Sequence, residues 1–156
     1  MSSVIHHVEA LGVPFEVIPH QEALTSIDEA RAIGIDADEV LKTVVFTTRY
    51  GYVIAVLPAS RRVAVERIRE ATGDQQARLA NEGQLRHEFP DIELGAFPPM
   101  GSFLQAPTFV DPEVFHHTTV AFAAGTTTES IRMRTDDLFR DEMAHLLPLE
   151  EEPVYA

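Results

Sequence analysis

Lys42-Thr43-Val44-Val45-Phe46-Thr47-Thr48, then Arg49-Tyr50-Gly51, then Tyr52-Val53-Ile54-Ala55-Val56-Leu57 is the longest apolar stretch with strand character in the chain. Both arms are short, apolar and rich in β-branched residues, which are stiff at χ1 and suit a pleated surface. The three residues between them end in a glycine and leave room only for a tight reversal. The run therefore predicts two antiparallel strands, paired as a hairpin near the middle of a sheet. Pro58 stops the second strand because it has no N–H to give to a ladder.

On either side of the hairpin, helices and strands are interleaved without regular alternation. On the N-terminal side, apolar residues at helical spacing predict a helix over 4–11, stopped by Gly12. A strand over 14–18 follows. Ser26 then reads as the cap of a helix whose apolar face is Ile27, Ala30 and Ile33, with Glu29 completing a capping box and Gly34 ending it. A single turn is expected at 38–41. On the C-terminal side, helices are predicted over 63–71 and 82–89, a short element over 75–79, and strands over 108–110, 119–123 and 131–133. The last two strands turn at Gly125, and a final amphipathic helix is expected over 136–145. Such a mixture favours an α+β architecture with a mixed or antiparallel sheet over a doubly wound one. One domain over 1–147 and a flexible acidic tail over 148–156 are expected.

Composition narrows the chemistry. The 156 residues can bury a full core. With no cysteine, the chain has no disulfide, no thiolate zinc site and no cysteine nucleophile. The N-terminus lacks the pattern of a secretory signal, and no apolar run approaches the ~20 residues of a membrane helix. A cytoplasmic protein without membrane contact is the expectation. The net charge of −13 argues against non-specific binding to DNA or anionic lipid. It is unevenly spread, because residues 41–80 carry seven basic and three acidic side chains, leaving −17 on the other 116 residues. One basic sector on an acidic body fits contact with phosphate at one place, although Arg67 and Arg69 also read as solvated helix residues.

Two features are candidates for function. Lys42 is the only lysine. At a strand edge beside a cleft it would offer a compact cation to a phosphate or carboxylate, and otherwise it is a strand-end lysine reaching solvent. Gly95-Ala96-Phe97-Pro98-Pro99-Met100-Gly101 reads as a stiff loop with flexible corners. The prolines fix φ and cannot donate, while the glycines can take positive φ and admit a close neighbour. This loop is either a presenter of backbone groups to a ligand or a plain connector. Adjacent histidines at 6–7 and 116–117 point apart on any regular element, and no serine lies in a nucleophile-elbow setting. No metal or cofactor is expected.

The order His20, Thr25, Glu29-Ala30, Lys42-Thr43, then Gly95-x-x-Pro98-Pro99-x-Gly101, Val110-Asp111, Ala124-Gly125 and Ile131 to Asp137-Leu138 resembles the YbaK/prolyl-tRNA-synthetase-associated editing domain family. The resemblance covers about residues 14–140. It implies a mixed α+β domain whose central, largely antiparallel sheet is flanked by helices. It also implies trans-editing: hydrolysis of the ester that joins a small, uncharged wrong amino acid to a tRNA, tRNA-Pro among them.

The residues matching the family's functional positions are Lys42, for the terminal phosphate, and Gly101, both assigned to catalysis. Gly95, Ala96, Phe97, Pro98, Pro99 and Met100 would place the terminal ribose and ester by main-chain contacts, with His20, Thr25 and Gly125 completing the substrate site. The implied partners are the tRNA acceptor end, touched by Arg49, Arg61 and Arg62, and an aminoacyl-tRNA synthetase. A different kind of answer is a non-catalytic module that binds a nucleotide or amino acid, or docks onto a synthetase. Within the loop, Gly101 is expected to act through its backbone and Phe97 through packing, and Phe97, Met100, Phe103 and Leu104 are expected to wall the pocket.

Overall fold

A computed structural model describes residues 3–151. In chain order its helices are α1 (Ser3–Glu9), α2 (Ser26–Ile33), α3 (Val65–Thr72), α4 (Glu82–Glu88), α5 (Gly101–Leu104) and α6 (Thr135–Phe139). Its strands are β1 (Phe15–Pro19), β2 (Leu41–Thr48), β3 (Gly51–Pro58), β4 (Arg78–Leu79), β5 (Thr108–Val110), β6 (Thr119–Ala123), β7 (Glu129–Arg134) and β8 (Ala144–Leu146). The fold is the α+β arrangement expected, with mixed and antiparallel pairing flanked by helices.

The strands form two sheets. One is antiparallel, in the order β1-β7-β6, and the other is mixed, in the order β4-β2-β3-β5-β8. The β2–β3 hairpin lies inside the larger sheet, pairing Leu41 with Pro58 through to Thr48 with Gly51. β5 adds to β3 in parallel, and β8 adds to β5 in parallel. A single parallel bridge, Val40 to Ala121, ties the smaller sheet to the residue just before β2.

Alternation along the hairpin explains its burial on both faces. Val45, Ile54 and Val56 join α1, β6, β7 and the 95–101 loop in the main core. Phe46, Val53, Ala55 and Leu57 face the other way, under Ile68 of α3 and Leu149. Pleated strands send successive side chains to opposite faces, so a run apolar throughout can only serve a sheet covered on both sides.

Three expectations are corrected. The helix over 136–145 ends at Phe139, and Ala144 to Leu146 instead extend the sheet beside Thr108 to Val110. The acidic tail does not begin at 148. Leu149 is fully buried, its N–H donates to Asp111 Oδ2 at 2.8 Å, and its carbonyl accepts from Ala64. Glu151 N–H donates to the Arg62 carbonyl at 2.8 Å. A buried apolar side chain and three backbone bonds fix this stretch, and the rest of the expected tail, 152–156, lies outside the described residues. Finally, Thr25 rather than Ser26 caps α2, since its hydroxyl accepts from Asp28 N–H at 3.1 Å. That shift by one residue turns Glu29 inward.

Candidate functional site: a cleft along the open edge of β2

Two edges meet β2 on the side away from β3 and then diverge. β4 pairs with its far end through Phe46 and Thr47, and β6 touches its near end through the Val40–Ala121 bridge. Between them lies a cleft of about 290 Å³. Its floor is Leu41 to Val45, and its walls are Leu24, Thr25 and Ser26, then Leu79, Ala80 and Leu85, then Gly95, Phe97 and Ala123. Leu24 and Leu79 stand exposed at the rim, 61% and 52% accessible.

Lys42 is the one ionisable residue lining the cleft. Burial pushes its pKa down, the nearby Arg62 guanidinium pushes it further, and Glu151 partly offsets both. Among the described residues Lys42 forms no ion pair. A half-desolvated ammonium beside a second cation is the setting an anion relieves, because an opposite charge restores the charged form. No carboxylate or imidazole lines this cleft, so Lys42 is the only titratable side chain in its lining.

The 95–101 loop enters the cleft only through Gly95 and Phe97. Gly95 has φ +85°, and a Cβ there would overlap the Leu24 carbonyl. This close approach fixes the loop to the opposite wall and demands glycine. Ala96 is buried, its carbonyl accepting from Gly125 N–H at 3.1 Å. Gly125 is thus a clamp behind the loop rather than part of the lining. Pro98, Pro99 and Met100 are buried, and Met100, Phe103 and Leu104 belong to the main core instead of the cleft wall. Gly101 opens α5 away from the cleft, outside the positive-φ region, and a Cβ on it would strike the Thr108 hydroxyl and the Ala106 carbonyl. The structure therefore gives Gly101 a packing position.

His20 also stands outside the lining. Its Nε2 lies 2.8 Å from Ser130 Oγ and its Nδ1 lies 2.7 Å from the Gln21 carbonyl. Ser130 in turn hydrogen-bonds Glu29, which is 3% exposed. Burial raises the Glu29 pKa to about 7, against a smaller lowering by Ser130. The Ser130 hydroxyl donates to Glu29 and also meets His20 Nε2, so the three side chains form one continuous hydrogen-bonded chain that ends at the Gln21 carbonyl. These bonds brace α2, and with it Thr25 at the cleft wall.

A stability consequence follows from Glu29. The folded state holds this proton from the ordinary 4.5 up to about 7, so the unfolded state binds fewer protons across that window. Stability from this group is complete below pH 4.5 and falls by about 3 kcal/mol as pH rises to 7. Glu29→Gln keeps the shape without the ionisation. Its denaturation midpoint should decline less than that of the wild type between pH 5 and pH 8, and the two variants should cross over. Parallel declines in urea titrations at the two pH values would show that Glu29 does not ionise there.

The three arginines do not act together. Arg62 reaches the field of Lys42, whereas Arg61 pairs with Glu150 at 3.3 Å. Arg49 lies at the hairpin turn, seven residues from Lys42, or roughly 23 Å along an extended strand, and donates to the Gly73 carbonyl at 2.7 Å. There it lines a larger, polar hollow of about 410 Å³ with Asp74 and Arg78. That hollow contains none of the residues singled out from the sequence except Arg49. Leu24, Leu79 and Leu85 line the true cleft without any local signal in the sequence, because only the divergence of β4 and β6 brings them together.

With this geometry in view, the chain matches the aminoacyl-tRNA editing domain over residues 20–140. It belongs to the aminoacyl-tRNA editing domain family. The editing domain is 26% identical over 97 residues to the proline–tRNA ligase of Pseudothermotoga lettingae, covering 62% of this chain and 16% of that protein. It is 25% identical over 83 residues to the proline–tRNA ligase of Thermosipho melanesiensis, covering 53% of this chain and 14% of the ligase. The editing domain thus spans about a sixth of these relatives. In fold it is similar to a solved structure described as a candidate trans-editing enzyme for prolyl tRNA synthetase, with a TM-score of 0.83 and 21% identity over 97% of this chain and 99% of that one. A structure described only as a hypothetical protein gives a TM-score of 0.84 at 19% identity, over 95% and 99% of the two chains. Among the described residues of the editing domain, no helix is long and apolar enough to cross a membrane.

Proposed function

We propose that this chain is an aminoacyl-tRNA deacylase acting in trans, which cleaves the ester joining a wrong amino acid to the terminal ribose of a tRNA. The observation that carries the reading is the cleft itself: one cationic corner, Lys42 with Arg62 nearby, opening onto apolar walls on an editing-family chain. The cationic corner suits the phosphate of the terminal nucleotide, whose negative charge offsets the burial of Lys42. The apolar walls suit a small, uncharged aminoacyl side chain. Water adds to the ester carbonyl carbon and the bond to the ribose oxygen breaks, releasing the free amino acid and restoring the ribose hydroxyl. An aminoacyl ester is already activated, so positioning the water and stabilising the oxyanion can suffice without a protein base, the neighbouring ribose hydroxyl relaying the proton.

An acidic body leaves few places for tRNA to be gripped. Arg62 is the first contact we assign beyond Lys42, with Arg61 and Arg49 reachable only further along the acceptor stem, and a synthetase partner would supply the remainder. Binding should weaken with salt along a slope of only about two or three ions. The absence of any carboxylate or imidazole from the lining favours a second reading, a module that binds the acceptor end or an amino acid without hydrolysis.

A panel of tRNAs charged with different amino acids separates the two. Alanyl, seryl and cysteinyl esters should be released fastest and with overlapping rates, because one methylene in an apolar pocket is worth about 1–3 kcal/mol. Charged and bulky groups should persist. Retention of every ester by a protein that still binds the charged tRNA would establish the module instead, and a preference for a charged group would contradict the apolar cleft.

A further inference from the structure

The floor of the cleft has a direction built into its backbone. Val40 C=O accepts from Ala59 N–H, on the β3 side, while Val45 C=O accepts from Ala80 N–H, on the opposite side. The pairing of β3 agrees. Ile54 N–H donates to Pro107 and Val56 C=O accepts from Asp111 N–H, so both point away from β2, and they stand opposite Val45 and Thr43. In an antiparallel pair, opposed residues either exchange hydrogen bonds or both face outward. Lys42 and Val44 therefore bond to β3, whereas the N–H and C=O of Thr43 face the cleft.

Neither flanking strand reaches that position. The bridge to β6 lies at Val40 and the ladder to β4 begins at Val45 and Phe46, so among the described residues the rung at Thr43 has no strand partner. The Thr43 hydroxyl oxygen, sealed from solvent, has no partner either. Backbone groups in a folded interior are ordinarily paired, and one donor and one acceptor left open in a cleft mark a place for a ligand.

The geometry points to Thr43 as a main-chain binding rung that takes the substrate's aminoacyl group as if it were one residue of an added antiparallel strand. The substrate's α-ammonium donates to the Thr43 carbonyl, and its ester carbonyl accepts from the Thr43 N–H. These are the two bonds an antiparallel hydrogen-bonded pair exchanges. The pairing also explains how a site lacking carboxylate and imidazole side chains can orient the reacting carbonyl, with the N–H placed on the oxygen that gains charge. It requires an α-amino group beside a carbonyl, so the ligand class is an α-aminoacyl ester or amide. This inference rests on the deacylase reading for the identity of the ligand.

The test is amide hydrogen exchange by NMR on the full chain, free and with 3′-deoxy-3′-(alanylamino)adenosine, a hydrolysis-resistant analogue keeping both the ammonium and the carbonyl. In the free protein Thr43 should exchange at least ~10-fold faster than Lys42 and Val44. The analogue should slow Thr43 by ~10-fold or more, and replacing its alanyl by propionyl, which removes the ammonium, should weaken binding ~10-fold or more. Binding that shifts Gly95 and Phe97 but leaves Thr43 exchange unchanged overturns the rung and leaves the deacylase reading standing. A Thr43 amide as protected as Val44 in the free protein also overturns the rung. No binding at millimolar analogue overturns both.

Discussion

Lys42→Ala lowers kcat/KM for deacylation by about 10- to 150-fold while the protein stays folded; that is the expected result with the largest effect on activity. Removing one charge-assisted contact to phosphate costs roughly 1.5–3 kcal/mol, and each 1.36 kcal/mol is tenfold in rate. The fold should survive because Lys42 forms no ion pair among the described residues and stands at a cleft rather than in the core. Lys42→Arg should recover only part of the loss, since a planar guanidinium does not replace a compact ammonium at the same reach. Single-turnover rates on a charged tRNA decide it, and wild-type rates in a folded Lys42→Ala protein would remove Lys42 from the site.

The second large effect falls on stability. Gly101→Ala sets a methyl group against the Thr108 hydroxyl and the Ala106 carbonyl, and the second of these is backbone that cannot swing away. Overpacking at such a point costs about 3 kcal/mol, or roughly 6–12 °C in melting temperature for a domain of this size. Deacylation per folded molecule should change little, because Gly101 is not in the lining. This outcome differs from the catalytic role that the family resemblance implies. Thermal unfolding together with rates measured well below the transition distinguishes them: lost activity at an unchanged melting temperature would return Gly101 to the reaction.

The parts of the fold visible in the sequence are those whose signal is local. The hairpin was legible because β-branched residues run unbroken on both sides of a glycine turn. The final helix was misread because Ala144-His145-Leu146 suits either period, and only the parallel pairing with Thr108 to Val110 selects the strand. The proline loop was half legible. Its rigidity and the need for glycine at 95 follow from residue type, but which side faces the ligand does not. Proline rings and Met100 are apolar, and the core claimed them. Lys42 was visible as the lone lysine. Thr43 stands in the Lys42-Thr43 pair of the family pattern, but its backbone role carries no mark, because an open rung is a property of two neighbouring strands parting company.

That same parting bears on how the molecule avoids its own kind. An uncovered sheet edge ordinarily recruits strands from other chains and seeds aggregates. Here the opening is interrupted at both ends, by the Val40–Ala121 bridge and by the Val45–Ala80 bond, and the exposed edge between them is only a few residues long, centred on Thr43. A foreign strand needs several consecutive rungs to hold, and it would collide with β4 or β6 beyond that length. The protein can therefore keep a reactive stretch of edge permanently unsealed, guarded by its shortness rather than by charge or by a lid.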